Sequence, residues 1–124
     1  MNPCNLIQLG IRHDAPWAVG HFNIHNQEFT RAVLRAAELE DSPVILAVGM
    51  MSIKYMGFEP LIKICQIMSM ETEVPVAIHL DHARDLEIVG EALKLGINSV
   101  MFDGSALSYE ENVTITTRIL TTLQ

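Results

Sequence analysis

The chain has 124 residues, enough for one domain with its own core, and is 49% hydrophobic and 19% charged, a balance that excludes a disordered chain. Lys plus Arg total 8 and Asp plus Glu 15, a net charge of −7 with no basic cluster, so neither nucleic acid nor an anionic membrane is expected as a partner. The longest apolar run, PVILAVGMM, is too short to span a bilayer, and the N-terminus MNPCNLIQLGIRHDAPW lacks the pattern of a secretory signal.

AVGHFN (18–23) reads as a first strand. Asn26 is a plausible N-cap, and QEFTRAVLRAAELE after it places Phe29, Val33, Ala36 and Ala37 on one helical face. PVILAVG (43–49) is the second strand, with a longer loop, MMSIKYMGF, behind it. Pro60 suits a first helical turn, and Leu61, Ile64, Cys65 and Met68 follow at helical spacing. VPVAIHLD (74–81) is the third strand; after Asp85 come the stripe Leu86, Val89, Leu93 and a terminating Gly96. SVMFDG (99–104) is the fourth strand. Ser108 and Glu111 form an S-x-x-E capping box, although Thr114, Ile115, Thr116 and Thr117 are poor helix formers.

Strand starts at 18, 43, 75 and 99 make a regular βα repeat. Continuous apolar strands fit a parallel sheet covered on both faces. The fold class is therefore α/β, one domain over residues 1–124 with no linker. Two architectures fit, an open doubly wound sheet or half of a (βα)8 barrel, and both place chemistry at the C-terminal ends of strands. Cys4 and Cys65 are far apart and form no metal-type pair, which fits a reducing cytoplasm, with Cys65 in the core.

Three strands end in polar residues. VPVAIHLDHARD ends the third, where His79 and Asp81 share a face and His82 joins them only if the chain turns. Imidazole and carboxylate suit a zinc ligand set or a general base, but hydrogen-bonded histidines would read the same way. FDGS brings Asp103 to the end of the fourth strand, as ligand, base, orienter of a histidine or simple turn residue. FNIHNQ brings Asn23, able to hydrogen-bond a polyol.

HFNIHN, SPVILAV with KYMG downstream, VPVAIHLDH and SVMFDGS followed by EEN together resemble the N-terminal half of the class II, metal-dependent fructose-bisphosphate aldolases and their tagatose-bisphosphate relatives. The resemblance runs from about Ala18 to Leu120. It implies the first four βα units of a TIM barrel and reversible aldol cleavage of a ketose 1,6-bisphosphate to dihydroxyacetone phosphate and glyceraldehyde 3-phosphate. It further implies Asp81 as acid/base, His82 as zinc ligand, Asp103 as an acid at the metal, Asn23 as a substrate contact and His79 as a supporting neighbour.

The chain departs from that pattern at Gly49, where a serine is usual, at Ala83 and Ala106, and at His21, where small or amide residues are familiar. Such a barrel takes about 250 residues, and no histidine follows His82 here. The other zinc ligands and main phosphate loops of the family lie on later strands. The expectation is an inactive isolated chain, completed by a missing C-terminal half or by self-association; the alternative is a non-catalytic remnant or interaction module.

Overall fold

The computed structural model describes residues 18–97 and 99–122, so the readings of Cys4 and of the N-terminal stretch before Ala18 lie outside the described residues. The order is β1 (Gly20–Asn23), α1 (Gln27–Leu39), β2 (Val44–Gly49), α2 (Met50–Met56), α3 (Phe58–Ser69), β3 (Val76–Ala83), α4 (Leu86–Lys94), β4 (Val100–Phe102) and α5 (Tyr109–Thr122). All strands are parallel, in the spatial order β1-β2-β3-β4. A doubly wound sheet reverses its strand order to place helices on both faces. Here the order never reverses, so crossovers of one hand leave the helices on one face. That decides for the barrel-type arrangement.

The core lies between that face and the helices. Val44, Leu46, Val48, Val76 and Leu80 point outward from β2 and β3 and pack with Leu34, Leu61, Ile62, Cys65, Val89 and Ala92. The alternate residues, among them His79 and Asp81, stand on the opposite, barrel-interior face.

Asn26, read from sequence as an N-cap, performs as one, and the structure adds Asp85 as a second. Asn26 Oδ1 accepts from the Phe29 amide at 3.0 Å, and Asp85 Oδ1 from the Ile88 amide at 2.8 Å. Gly96, at φ +84°, lets the Ile97 amide reach back to the Ala92 carbonyl at 2.9 Å and close α4. The stretch after β2 is not a loop: it holds α2, and Gly57 at φ +84° breaks the helix and starts α3. The face of α1 also differs from its apolar stripe. Thr30, Leu34 and Ala37 are buried, whereas Phe29 is half-exposed. Val33 and Ala36 instead line an apolar cavity of about 380 Å³ beside β1, together with Gly20, Phe22 and Val44. The stripe thus faces the open flank of the sheet. In α5, Thr114 and Thr117 hydroxyls donate to the carbonyls of Glu110 and Val113, which satisfies them within the helix.

Candidate active site

The strand ends build one cluster. Asp81 sits beside Gly49 in register, at the C-terminal end of β3. Beyond it the pairing slips: Leu80 is opposite Val100 but Ala83 is opposite Phe102, so β3 carries one extra residue. His82 is in this bulge, at φ +56°. A non-glycine residue pays about 1–2 kcal/mol for that left-handed backbone. The bulge breaks the strict alternation of the strand and brings the His82 ring between two carboxylates. Its Nδ1 lies 3.2 Å from Asp103 Oδ2 and its Nε2 3.9 Å from Asp81 Oδ1.

Asp103 is held from several sides. Its Oδ1 accepts from the Ser105 hydroxyl at 2.6 Å and the Ser105 amide at 3.2 Å, and Arg84 Nε lies 3.5 Å from Oδ2. The Ser105 hydroxyl, then His82, holds the carboxyl well below the usual carboxylate range. An ionised carboxylate only accepts, so Nδ1 of His82 carries the proton. In the neutral ring the lone pair is then on Nε2, on a side chain that is 58% exposed. A histidine oriented in this way by a carboxylate is in the form that binds metals.

One layer deeper, His79 Nδ1 pairs with the Ser99 hydroxyl at 2.7 Å. Burial, reinforced by repulsion from His21, pushes the His79 pKa down and favours a neutral ring. Its ring meets that of His21 edge-on, with centroids 5.4 Å apart. Asn23, exposed on β1, shares a rung with Ala47 and His79. On the adjoining rim His25 Nδ1 pairs with the buried Ser52 hydroxyl at 2.7 Å.

The structure therefore brings Asp81, His82 and Asp103 together, sets His79 below them, and leaves Asn23 across the sheet. It also adds residues that the sequence reading did not single out: Ser105 and Arg84 around Asp103, Ser99 on His79, and Ser52 on His25. A serine two residues after an aspartate is a turn signal that could have pointed to Ser105. Ser99 and Ser52 become visible only when distant segments meet. As for a metal, His82 Nε2 with adjacent carboxylate oxygens is the donor chemistry that zinc takes, and a zinc site of three or four ligands would need nitrogens beyond this rim.

Comparison with protein families matches residues 12–124 to the family described as fructose-bisphosphate aldolase class-II. The chain belongs to this family. Among curated relatives, a sulfofructosephosphate aldolase of Alkalicoccus urumqiensis is 48% identical over 96 residues, covering 77% of this chain and 33% of the relative. A probable fructose-bisphosphate aldolase of Bacillus subtilis (strain 168) is 45% identical over 107 residues, covering 84% of this chain and 38% of the relative. Of solved structures, the YdjI aldolase from Escherichia coli K12 superposes with a TM-score of 0.84 at 34% identity, over 94% of this chain and 44% of that one. A putative fructose-1,6-biphosphate aldolase from Coccidioides immitis gives 0.85 at 31% identity, over 95% and 41%. The chain thus spans 33% to 44% of the length of these relatives, and the class II aldolase fold seen here is the first four βα units of a TIM barrel.

Proposed function

We propose that this chain contributes one side of the active site of a class II aldolase. Its reaction is reversible cleavage of a ketose 1,6-bisphosphate, of fructose or tagatose type, between C3 and C4. The carrying observation is the His82 ring, fixed at Nδ1 by Asp103 with Nε2 open beside Asp81. In cleavage Asp81 takes the proton of the C4 hydroxyl as that oxygen becomes the aldehyde, and in condensation it returns it. His82 would hold zinc through Nε2. Zinc, when bound, supplies positive charge that stabilises the negative charge left on the dihydroxyacetone phosphate fragment. Asp103, both of whose oxygens already accept bonds, acts by holding His82 rather than by direct ligation. Asn23 supplies a polar contact to substrate, and His79 supports the floor.

The domain is one half of a barrel, and the flank of β1 is where further βα units of the same enzyme join it. Phe22 there is 51% exposed and the adjoining cavity is apolar. Among the described residues the outer edge of β1 is unpaired, and such an edge with an apolar flank is what a continuing barrel covers. The free, buried Cys65 suits a reducing cytoplasm. Alone, the 124 residues turn over no substrate.

Fusing this chain to the later βα units of the Bacillus subtilis relative tests the assignment. The fusion is expected to cleave fructose 1,6-bisphosphate in a zinc-dependent manner, and Asp81→Asn to lower kcat by at least about 100-fold. A folded, zinc-loaded fusion that cleaves equally well with Asp81→Asn removes Asp81 from its role. One that never cleaves although it folds and binds zinc overturns the assignment.

A further inference from the structure

We propose that His21, His79 and Asp81 form a second divalent-metal site, of the zinc type, on the interior face of the sheet; it shares Asp81 with the site above, so a metal held here occupies the carboxylate and is an inhibitory alternative to its acid/base role. The site stands on the geometry of these residues; only the inhibition rests on the reaction proposed above.

The three side chains each offer one ligand atom, and these atoms all lie within 4.8 Å of one another. His21 comes from β1, His79 and Asp81 from β3, and β2 runs between them. Strands two apart in a sheet are about 9.5 Å apart, so only long side chains leaning inward can meet. The neighbour of His21 on β2 is Ile45, but toward the strand ends β2 carries only Ala47, opposite His79, and Gly49, opposite Asp81, so the rings meet diagonally across Ala47. A larger residue at either position would fill the gap. His21 and His79 contact edge-on over that gap.

Two imidazoles and a carboxylate are a complete three-ligand set that leaves one position open. Ligand atoms around a tetrahedral zinc ion lie about 3.3 Å apart for bonds of about 2.0–2.1 Å, so the trio closes by a modest side-chain rotation. A further feature suits a ligand role. Ser99 holds His79 Nδ1 and directs Nε2 away from itself, the support that ligating histidines commonly have. His82 belongs to a different arrangement, with Nδ1 committed to Asp103.

The test is titration of the 124-residue chain with Co²⁺, read by its visible absorption, and with Zn²⁺, read by competition. The ring resonances of His21 and His79 are followed by NMR, and circular dichroism checks folding. His82→Ala is expected to retain binding at this site within about twofold, with both ring resonances still shifting. His21→Gln is expected to weaken it at least tenfold, and Ser99→Ala, which removes no ligand, by about tenfold. If binding survives His21→Gln, or the His21 and His79 resonances stay still while metal binds, the proposal is overturned. Loss of all binding with His82→Ala would likewise overturn it and leave the His82 assignment standing. Should His21→Gln unfold, the Ser99→Ala affinity and the wild-type resonances decide.

Discussion

Asp103 Oδ2 lies 3.2 Å from Nδ1 of His82, and this contact ties the bulged end of β3 to the end of β4. It sets which nitrogen of His82 is free, and it compensates a backbone conformation that a histidine does not adopt by preference. Replacing Asp103 with Asn keeps the shape but lets an amide present its NH₂ to the ring. In a fusion completed with the later βα units, Asp103→Asn is expected to weaken the zinc binding proposed for His82 by about 10–100-fold. Chelator competition measures this. Unchanged affinity would mean that His82 needs no such orientation.

Gly49, at the end of β2, leaves room for a side chain. A Cβ there meets nothing within 4 Å, and the backbone is extended at φ −95°. Gly49 also caps α2 without a side-chain bond. Gly49→Ser is therefore expected to gain a few tenths of a kcal/mol by capping. A loss of stability in thermal melts would show that the space is needed by something else.

How much of this was legible beforehand varied with the range of the interaction. Caps at Asn26 and Ser108 depend on residues three apart and were visible in the sequence, as were strand starts to within two residues; the same kind of cap at Asp85 was not read. The helix α2 was hidden because MMSIKYM has no cap and ends at a glycine that reads as loop. The α1 stripe containing Phe29 was apolar, but apolarity does not say whether the helix core or the sheet flank receives it. At the site, HLDH and FDGS located the cluster. The turn that admits His82 appeared only as a condition, since a bulge is a property of two strands and not of one. The contact between His21 and His79 depends on a small residue in the strand between them, which no local pattern reports.

The capping box of α5 makes a stability prediction. Ser108 Oγ accepts from the Glu111 amide at 3.3 Å, while Glu111 Oε2 accepts from the Ser108 amide at 3.0 Å and from its hydroxyl at 2.8 Å. Ser108→Ala is expected to cost about 1 kcal/mol. These bonds also hold the Glu111 pKa below its ordinary value. The unfolded chain therefore binds more protons than the folded one just below the unfolded pKa of about 4.3. The Glu111 contribution is complete above that pH and is lost as pH falls through the folded value. Denaturant midpoints measured from pH 6 downward should fall less steeply in Ser108→Ala than in the wild type.

Gly104 closes against Asn112. A Cβ at this glycine would lie 2.5 Å from the Asn112 amide, which donates to the Gly104 carbonyl at 3.4 Å and accepts from Thr116. Gly104→Ala is expected to destabilise by about 1–3 kcal/mol through overpacking and to shift the neighbouring Asp103. A melting temperature equal to wild type would show that Asn112 can swing aside at no cost.

Cys65 is buried in the core and its thiol is pushed up to about 11 by desolvation. In a Cys4→Ser background it should not react with a disulfide reagent at pH 8 until the chain is unfolded by denaturant. Prompt labelling in native buffer would place a channel or an opening motion between α3 and the sheet.

The extra residue in β3 has a consequence for inheritance. Asp81, His82, Arg84, Ser99, Asp103 and Ser105 all belong to one uninterrupted strand–helix–strand block, and their mutual bonds close within it. A genetic exchange that moved this block alone would carry a pre-assembled half-site with it. What β1 adds, including His21, is separable from that block. The cassette from β3 to the turn after β4 can therefore stay fixed while the strand across from it explores new ligands.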